Sequence, residues 1–242
     1  MTVAGQELAG RTALVTGASR GIGAAVARRL ATAGARLVLV ARTEQALRTL
    51  ATELGGDAIV VACDMREPDS ATLVTRGLAA AGVACPDILV NNAGAFVLAP
   101  AQETSVELFR ETLEVNLTAP FALVHAFLPA MRARRTGHVV TIGSIADRNA
   151  FPGNAAYAAS KYGLRALHEV VRAETRGTGI RATLVSPGPV DTELWDPIDP
   201  DSRDGFTPRA QMLEPAAVAD AVHFALTVSA ATNVDELRLS RS

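Results

Sequence analysis

The stretch Thr12-Ala-Leu-Val-Thr16-Gly17-Ala-Ser-Arg20-Gly21-Ile-Gly23 decides the fold. Its first five residues form a short apolar run of the length of a buried strand. From Gly21 the pattern changes period: Ile22, Val26 and Leu30 recur at helical spacing up to Gly34. Three glycines therefore sit at a strand-to-helix junction. Such a turn lets backbone approach a pyrophosphate, which the helix N-terminus then attracts. A tight turn alone would explain one glycine more easily than three. The spacing is GxxxGxG rather than GxGxxG.

Outward from this junction, strands are expected at 36–41, 58–63, 87–91, 137–144, 180–186 and 234–240. Helices are expected at 21–33, 43–54 (capped by Thr43), 68–81, 105–134 (with a kink at Pro120), 154–176 and 216–227. Short, wholly apolar strands that alternate with helices imply a parallel sheet covered on both faces. The fold class is α/β: a doubly wound, Rossmann-like sheet of about seven strands in one domain over residues 1–242. Ligands of such sheets bind at the carboxyl ends of the strands. Residues 187–213 are rich in Pro, Asp, Ser and Gly, too long for an ordinary connection, and form a substrate loop or lid within that domain.

Composition narrows the class. With 49% hydrophobic and 20% charged residues in 242, the chain is globular. A net charge of −2 gives no basic excess for nucleic acid. Two cysteines, Cys63 and Cys85, exclude a disulfide framework and a CxxC site and fit a reducing compartment. Residues 1–10 show no signal-peptide features, and 115–131 is too polar and too short for a membrane span. A cytoplasmic protein is the expectation. His125, His138, His168 and His223 have no metal-ligand spacing, so no metal site is expected.

Cation usage singles out one residue. Of 23 Lys plus Arg, only Lys161 is lysine, and it lies four residues after Tyr157, one of two tyrosines. On a helix, residues i and i+4 share a face. A neighbouring ammonium favours phenolate and would draw the tyrosine pKa toward neutrality, as a general acid/base needs. At the end of the second strand, where an acidic residue would read the 2′-hydroxyl of NAD, stand Ala41 and Arg42, and Arg20 lies in the glycine turn. Two guanidiniums there suit a 2′-phosphate, which implies NADP(H). Glu44 is a mild contrary charge, and simple solvation of both arginines is the alternative.

These motifs together resemble the short-chain dehydrogenases/reductases in their compact single-domain form, from about residue 10 to 192. The resemblance rests on residues 16–23, Asp64, Asn91-Asn-Ala-Gly94, Asn116, Ser144, Tyr157-x-x-x-Lys161 and Pro187-Gly-Pro-Val-Asp-Thr192. It implies a catalytic set of Asn116, Ser144, Tyr157 and Lys161. Tyr157 would protonate a carbonyl oxygen, Ser144 would hydrogen-bond it, and Lys161 would serve Tyr157 and the nicotinamide ribose. The Asn116 main chain would hold a water of a proton relay. Cofactor contacts would come from Gly17, Ser19, Arg20, Gly21, Ile22, Gly23, Arg42, Asp64, Met65, Asn91, Ala93, Gly94, Tyr157, Lys161, Pro187, Gly188, Val190 and Thr192.

The implied activity is NADP(H)-dependent hydride transfer to and from a carbonyl/alcohol pair by a homodimer or homotetramer. The tail 233–240 is more similar to the branch of 3-hydroxy acid and serine-type dehydrogenases and broad carbonyl reductases. Two alternatives stand beside this reading. One is a 3-oxoacyl-carrier-protein reductase, with Arg132, Arg134 and Arg135 as a landing patch. The other is a non-catalytic NADP(H)-sensing or scaffold protein. Segments 95–101, 145–156 and 189–213 are expected to ring the substrate, with Phe96, Val97, Leu98, Asp147, Arg148, Phe151, Leu194, Trp195 and Phe206. Arg148 is either a carboxylate anchor or a surface residue.

Overall fold

The computed structural model describes residues 5–242; residues 1–4, part of the stretch read for signal features, lie outside the described residues. Seven parallel strands form one sheet in the order β3-β2-β1-β4-β5-β6-β7. They are β1 (Thr12–Thr16), β2 (Arg36–Ala41), β3 (Ile59–Ala62), β4 (Ile88–Asn91), β5 (Gly137–Ile142), β6 (Ile180–Pro187) and β7 (Glu236–Leu239). The helices are α1 (Gly21–Thr32), α2 (Glu44–Glu53), α3 (Ser70–Ala80), α4 (Val106–Leu113), α5 (Ala119–Arg134), α6 (Ala155–Thr175) and α7 (Pro215–Thr227).

Strand alternation builds two cores. Ala13 and Val15 point to one face, where Leu30, Leu47 and Leu50 of α1 and α2 meet Val218, Val222 and Leu226 of α7. Leu14, Val38 and Val40 point to the other, against Val74 and Leu78 of α3 and Leu123, Phe127 and Met131 of α5. Each fully buried Leu or Phe is worth roughly 1.5–3 kcal/mol. The chain runs outward from β1 through β2 to β3, then returns to place β4 on the other side of β1. The sheet order reverses there, so a crevice opens above the ends of β1 and β4.

Several local expectations are corrected. Thr43 occupies the N-cap position of α2, but its hydroxyl makes no capping bond. Helix α3 begins at Ser70, beyond Pro68. The expected single helix over 105–134 is two α-helices joined by a wide π-helical turn, Glu114–Thr118, with Pro120 in the first turn of α5. Pro120 has no N–H, so the Asn116 carbonyl lacks its α-helical donor four residues on; the wide turn absorbs that mismatch. Taken whole, Val106–Arg134 is by length and composition long and apolar enough to cross a membrane. Here it is a helix of the sheet's covering layer, with Leu123, Phe127 and Met131 in the core.

Residues 187–213 are held by specific bonds. Arg209 pairs with Asp191 at 2.9 Å and Asp196 at 2.5 Å. The Trp195 indole N–H donates to the Val190 carbonyl at 3.1 Å. An isolated parallel bridge joins Val190 to Leu213.

Candidate active site

A cleft of about 1430 Å3 runs over the carboxyl ends of the strands. At its floor the glycine turn is fixed by close approach. A Cβ on Gly23 would lie 2.2 Å from the Gly17 carbonyl oxygen, so no side chain fits there. Gly17 and Gly21 adopt φ of +67° and +54°, the left-handed region that disfavours larger residues. Thr16 and Asn92 staple the two strands flanking the crevice. The Asn92 amide donates to the Thr16 carbonyl at 2.8 Å, while the Thr16 hydroxyl accepts from the main-chain N–H groups of Asn92 and Ala93 at 3.0 and 2.9 Å.

The cleft is lined by Gly17, Ser19, Arg20, Gly21, Ile22, Gly23, Arg42, Asp64, Met65, Ala93, Gly94, Pro187, Gly188, Val190 and Thr192, all expected on the cofactor side. Asn91 is the exception. It is the last residue of β4, and its alternation turns the side chain into a small internal cavity beside Pro120, Val124 and His168. Its neighbour Asn92 faces the cleft instead. Arg66 is a cleft residue that sequence reasoning missed; it holds Asp64 at 2.7 Å. Arg20 and Arg42 make no ion pair among the described residues. The contrary carboxylate of Glu44 is taken by Arg48 at 2.5 Å on the exposed face of α2.

The reactive groups converge at the far side of this floor. β5 stops at Ile142 rather than at the expected residue 144, and Ser144, two residues on, caps a short 3₁₀ turn, Ile145–Asp147; its Oγ accepts from the Ala146 N–H at 3.1 Å. That leaves the hydroxyl proton free to donate outward. Tyr157 lies on the first turn of α6 and lines the cleft together with Ser144. Lys161, one turn further, is buried with its Nζ 5.6 Å from the Tyr157 ring centre and donates to the Ile142 carbonyl at 3.0 Å.

Asn116 sits in the π-helical turn, fully buried. Its side chain accepts from the Ala95 N–H at 2.8 Å and donates to the Ala95 carbonyl and the Ser160 hydroxyl, both at 2.9 Å. The Ser160 hydroxyl in turn donates to the Tyr157 carbonyl at 2.7 Å. Asn116 thus ties the loop after β4 to the helix that bears Tyr157, and its side chain lies behind the cleft wall.

The ionisation of the pair differs from the sequence expectation. Burial raises the Tyr157 pKa above its ordinary value, and the Ser144 hydrogen bond works against that rise. Burial lowers Lys161 to about 8, with the Asp147 carboxylate pulling the other way. Spacing puts the phenol and the ammonium together, but desolvation of each sets the direction. Tyr157 therefore holds its proton at neutral pH, as an acid must.

Asp147 and Arg148 do not face the substrate space. The Asp147 carboxylate is buried beneath Ser144, where it accepts from the Ser186 hydroxyl at 2.5 Å and from Arg148 Nε at 2.8 Å, with Arg165 at 3.7 Å. Arg148 also pairs with Glu236 of β7. Arg148 is consumed by this network and is no carboxylate anchor. The expected apolar residues Phe96, Val97, Leu98, Phe151, Leu194, Trp195 and Phe206 do line the cleft.

Arg132, Arg134 and Arg135 end α5 just before β5 begins. That is the amino edge of a parallel sheet, the edge opposite the cleft. Arg134 there holds the Pro86 carbonyl at 2.5 Å and Asp87 at 3.4 Å. A carrier protein docked on this patch would sit away from Tyr157.

Comparison with known proteins agrees with this geometry. The short chain dehydrogenase family model matches residues 11–203. A short chain dehydrogenase of Pseudocercospora fijiensis is 39% identical over 80% of this chain, a match that spans 64% of that protein's own length. D-threitol dehydrogenase of Mycolicibacterium smegmatis is 37% identical over 93% of this chain and 88% of its own. The crystal structure of a metagenomic short-chain oxidoreductase in complex with NADP is 36% identical, with a TM-score of 0.82 over 98% of this chain and 99% of its own. The glycine turn, the serine-tyrosine-lysine floor and these matches across nearly the whole length establish that the chain belongs to the short-chain dehydrogenase family.

Proposed function

We propose that the protein is an NADP(H)-dependent oxidoreductase that interconverts a carbonyl compound and its alcohol. The observation that carries this reading is the meeting of Ser144, Tyr157 and Lys161 on the floor of a cleft whose other end is the glycine turn. The residues present fit a dinucleotide: Gly23 leaves room only for backbone, the α1 N-terminus has no acidic residue in its first turn, and Arg20 and Arg42 both line the cleft as guanidiniums that would suit a 2′-phosphate. The NADP complex of the metagenomic relative supports the same cofactor, and the D-threitol dehydrogenase relative supports alcohol/carbonyl chemistry.

When bound, the dinucleotide supplies or accepts the hydride. The chain's own residues do the rest. Tyr157 gives its proton to the carbonyl oxygen, where negative charge develops. Ser144 donates to the same oxygen, and two donors aimed there favour the transition state. Lys161 uses one donor on Ile142 and has two more for ribose hydroxyls, a task for rotatable ammonium donors rather than a planar fork. The Asn116 carbonyl, in the wide turn just before Pro120, is the main-chain group that would hold the relay water. Asp64, Met65, Ala93, Gly94, Pro187, Gly188, Val190 and Thr192 bind the rest of the cofactor. Residues 187–213 act as a lid over the substrate. Half-exposed Phe121 on α5 and Val170 on α6 support a homodimer or homotetramer formed through these helices, and buried, unpaired Cys63 and Cys85 fit a reducing cytoplasm.

The test is NADPH consumption with a panel of ketones, aldehydes and acyl thioesters, repeated with NADH. The reading requires carbonyl-dependent oxidation, faster with NADPH. A clear NADH preference would remove the roles given to Arg20 and Arg42. Cofactor binding without turnover on any carbonyl would return the protein to a sensing role.

A further inference from the structure

The substrate end of the cleft has an unusual chemical balance. Three rings from two separate loops form a continuous wall that starts at the reactive phenol. Phe96 meets the Tyr157 ring edge-on at 4.8 Å between centres. Trp195 meets Phe96 at 5.2 Å, and Phe206 meets Trp195 at 6.4 Å, both edge-on. The Trp195 N–H is already bonded to Val190, so the indole has no donor left for a polar substrate. Leu98, Phe151 and Leu194 extend the same apolar lining.

Charge completes the picture. Among the lining residues of 94–98, 142–157 and 187–207, together with Lys161, only Lys161, Glu193 and Asp204 carry charge. Lys161 is bonded to Ile142 and lies below Tyr157. The Glu193 carboxylate reaches over the glycine turn, 3.7 Å from where a Cβ on Gly21 would stand. Arg203 precedes Asp204 but is exposed and does not line the cleft, while Arg148 is held by Asp147 and Glu236 and Arg209 by Asp191 and Asp196. A substrate carboxylate or phosphate would thus be desolvated against rings with no cation to receive it, beside Asp204, at a large free-energy cost.

We propose that the site selects uncharged aryl ketones or aldehydes, with the aromatic ring seated against Phe96 and Trp195, and rejects substrates that carry a carboxylate. In an aryl ketone the ring begins one bond from the carbonyl carbon. With the oxygen at Tyr157 and Ser144, such a ring would lie beside the wall that Phe96 begins, 4.8 Å from the Tyr157 ring, and aromatic rings favour edge and offset contacts at centre separations of about 4.5–7 Å. This inference rests on the hydride-transfer reading above. In the reduction, the hydride of NADPH forms the new C–H bond at the carbonyl carbon. The C=O π pair moves to oxygen, Tyr157 supplies the proton of the new O–H, and NADP+ leaves.

The experiment separates the two claims because Trp195 is the only tryptophan in the chain. Its fluorescence reports ligand in the pocket whether or not turnover follows. Three matched ligands are compared on the intact protein with NADP(H): an aryl methyl ketone, a saturated ketone of similar size, and the aryl ketone with a carboxylate beside the carbonyl. The aryl ketone should quench Trp195 with a Kd at least about tenfold below the other two, and kcat/KM with NADPH should rank the same way. Trp195→Ala and, independently, Phe96→Leu should bring the aryl-to-saturated ratio of kcat/KM to within about threefold of unity. Equal quenching by all three ligands, or a preference for the carboxylate, overturns the substrate class even if NADPH is consumed. Tighter quenching by the aryl ketone without NADPH consumption upholds the pocket and overturns the hydride-transfer reading instead.

Discussion

The two ends of the cleft are built by different means. At the cofactor end the shape is made by backbone. Gly23 lies against the Gly17 carbonyl, and Thr16 and Asn92 clamp the strand ends around it. At the substrate end the shape is made by side chains, Phe96 from one loop and Trp195 and Phe206 from another. A backbone surface admits one class of partner and tolerates almost no substitution. A side-chain surface can be rewritten one residue at a time while the machinery between the two ends stays in place.

The largest effect should come from the machinery between them. Tyr157→Phe removes the proton donor and should lower kcat between about a hundredfold and ten-thousandfold, read by steady-state NADPH oxidation. The next should come from the backbone end. Gly23→Ala forces a methyl into the Gly17 carbonyl and should cost about 3 kcal/mol in urea denaturation, whereas Phe206→Leu at the other end should cost less than about 1 kcal/mol. Equal costs would dissolve the contrast. Arg42→Ala keeps the backbone and removes a 2′-phosphate contact, so the NADPH-to-NADH ratio of kcat/KM should fall about tenfold.

The smallest shift sharpens the account of Lys161. Its folded pKa is about 8 against 10.5 for the free side chain, so below pH 8 both folded and unfolded chains are protonated and the burial penalty is complete. Between pH 8 and 10.5 the unfolded chain holds more protons, and stability of the native protein rises with pH. The shift corresponds to about 3 kcal/mol. Lys161→Met should therefore be inactive yet more stable at pH 7 by about 1 kcal/mol after the lost Ile142 bond is counted, and that advantage should shrink as pH rises through 8 to 10.5. Denaturation curves at pH 7 and pH 10 measure it. Over the same range, carbonyl reduction should decline as Lys161 loses its charge.

The contrast also explains what the sequence made legible. Motifs whose spacing is imposed by backbone geometry were readable: the glycine turn, Ser144 just after β5, and Tyr157 and Lys161 one turn apart on α6. Strand alternation, which composition does not reveal at this junction, turns the Asn91 side chain into a small cavity behind the sheet and leaves that of Asn92 on the cleft. The pKa expectation for Tyr157 failed because spacing shows which charges are neighbours and not how deeply they are buried. Asp147 and Arg148 looked like substrate residues from their position, yet their partners Ser186 and Glu236 lie 39 and 88 residues away from them in the chain. No local pattern announces such a network. The pairing of Arg209 with Asp191 and Asp196, which holds residues 187–213, was hidden for the same reason.

The central claim is hydride transfer onto a carbonyl carbon with Tyr157 as the acid. It is tested most directly by isotope transfer. NADPH carrying deuterium in turn at each C4 position is incubated with an aryl ketone and either the native protein or Tyr157→Phe. The account predicts that one of the two labels appears at the carbinol carbon of the native product, with almost none formed by the variant. Unlabelled alcohol from both, or equal labelled product from native protein and variant, would contradict it.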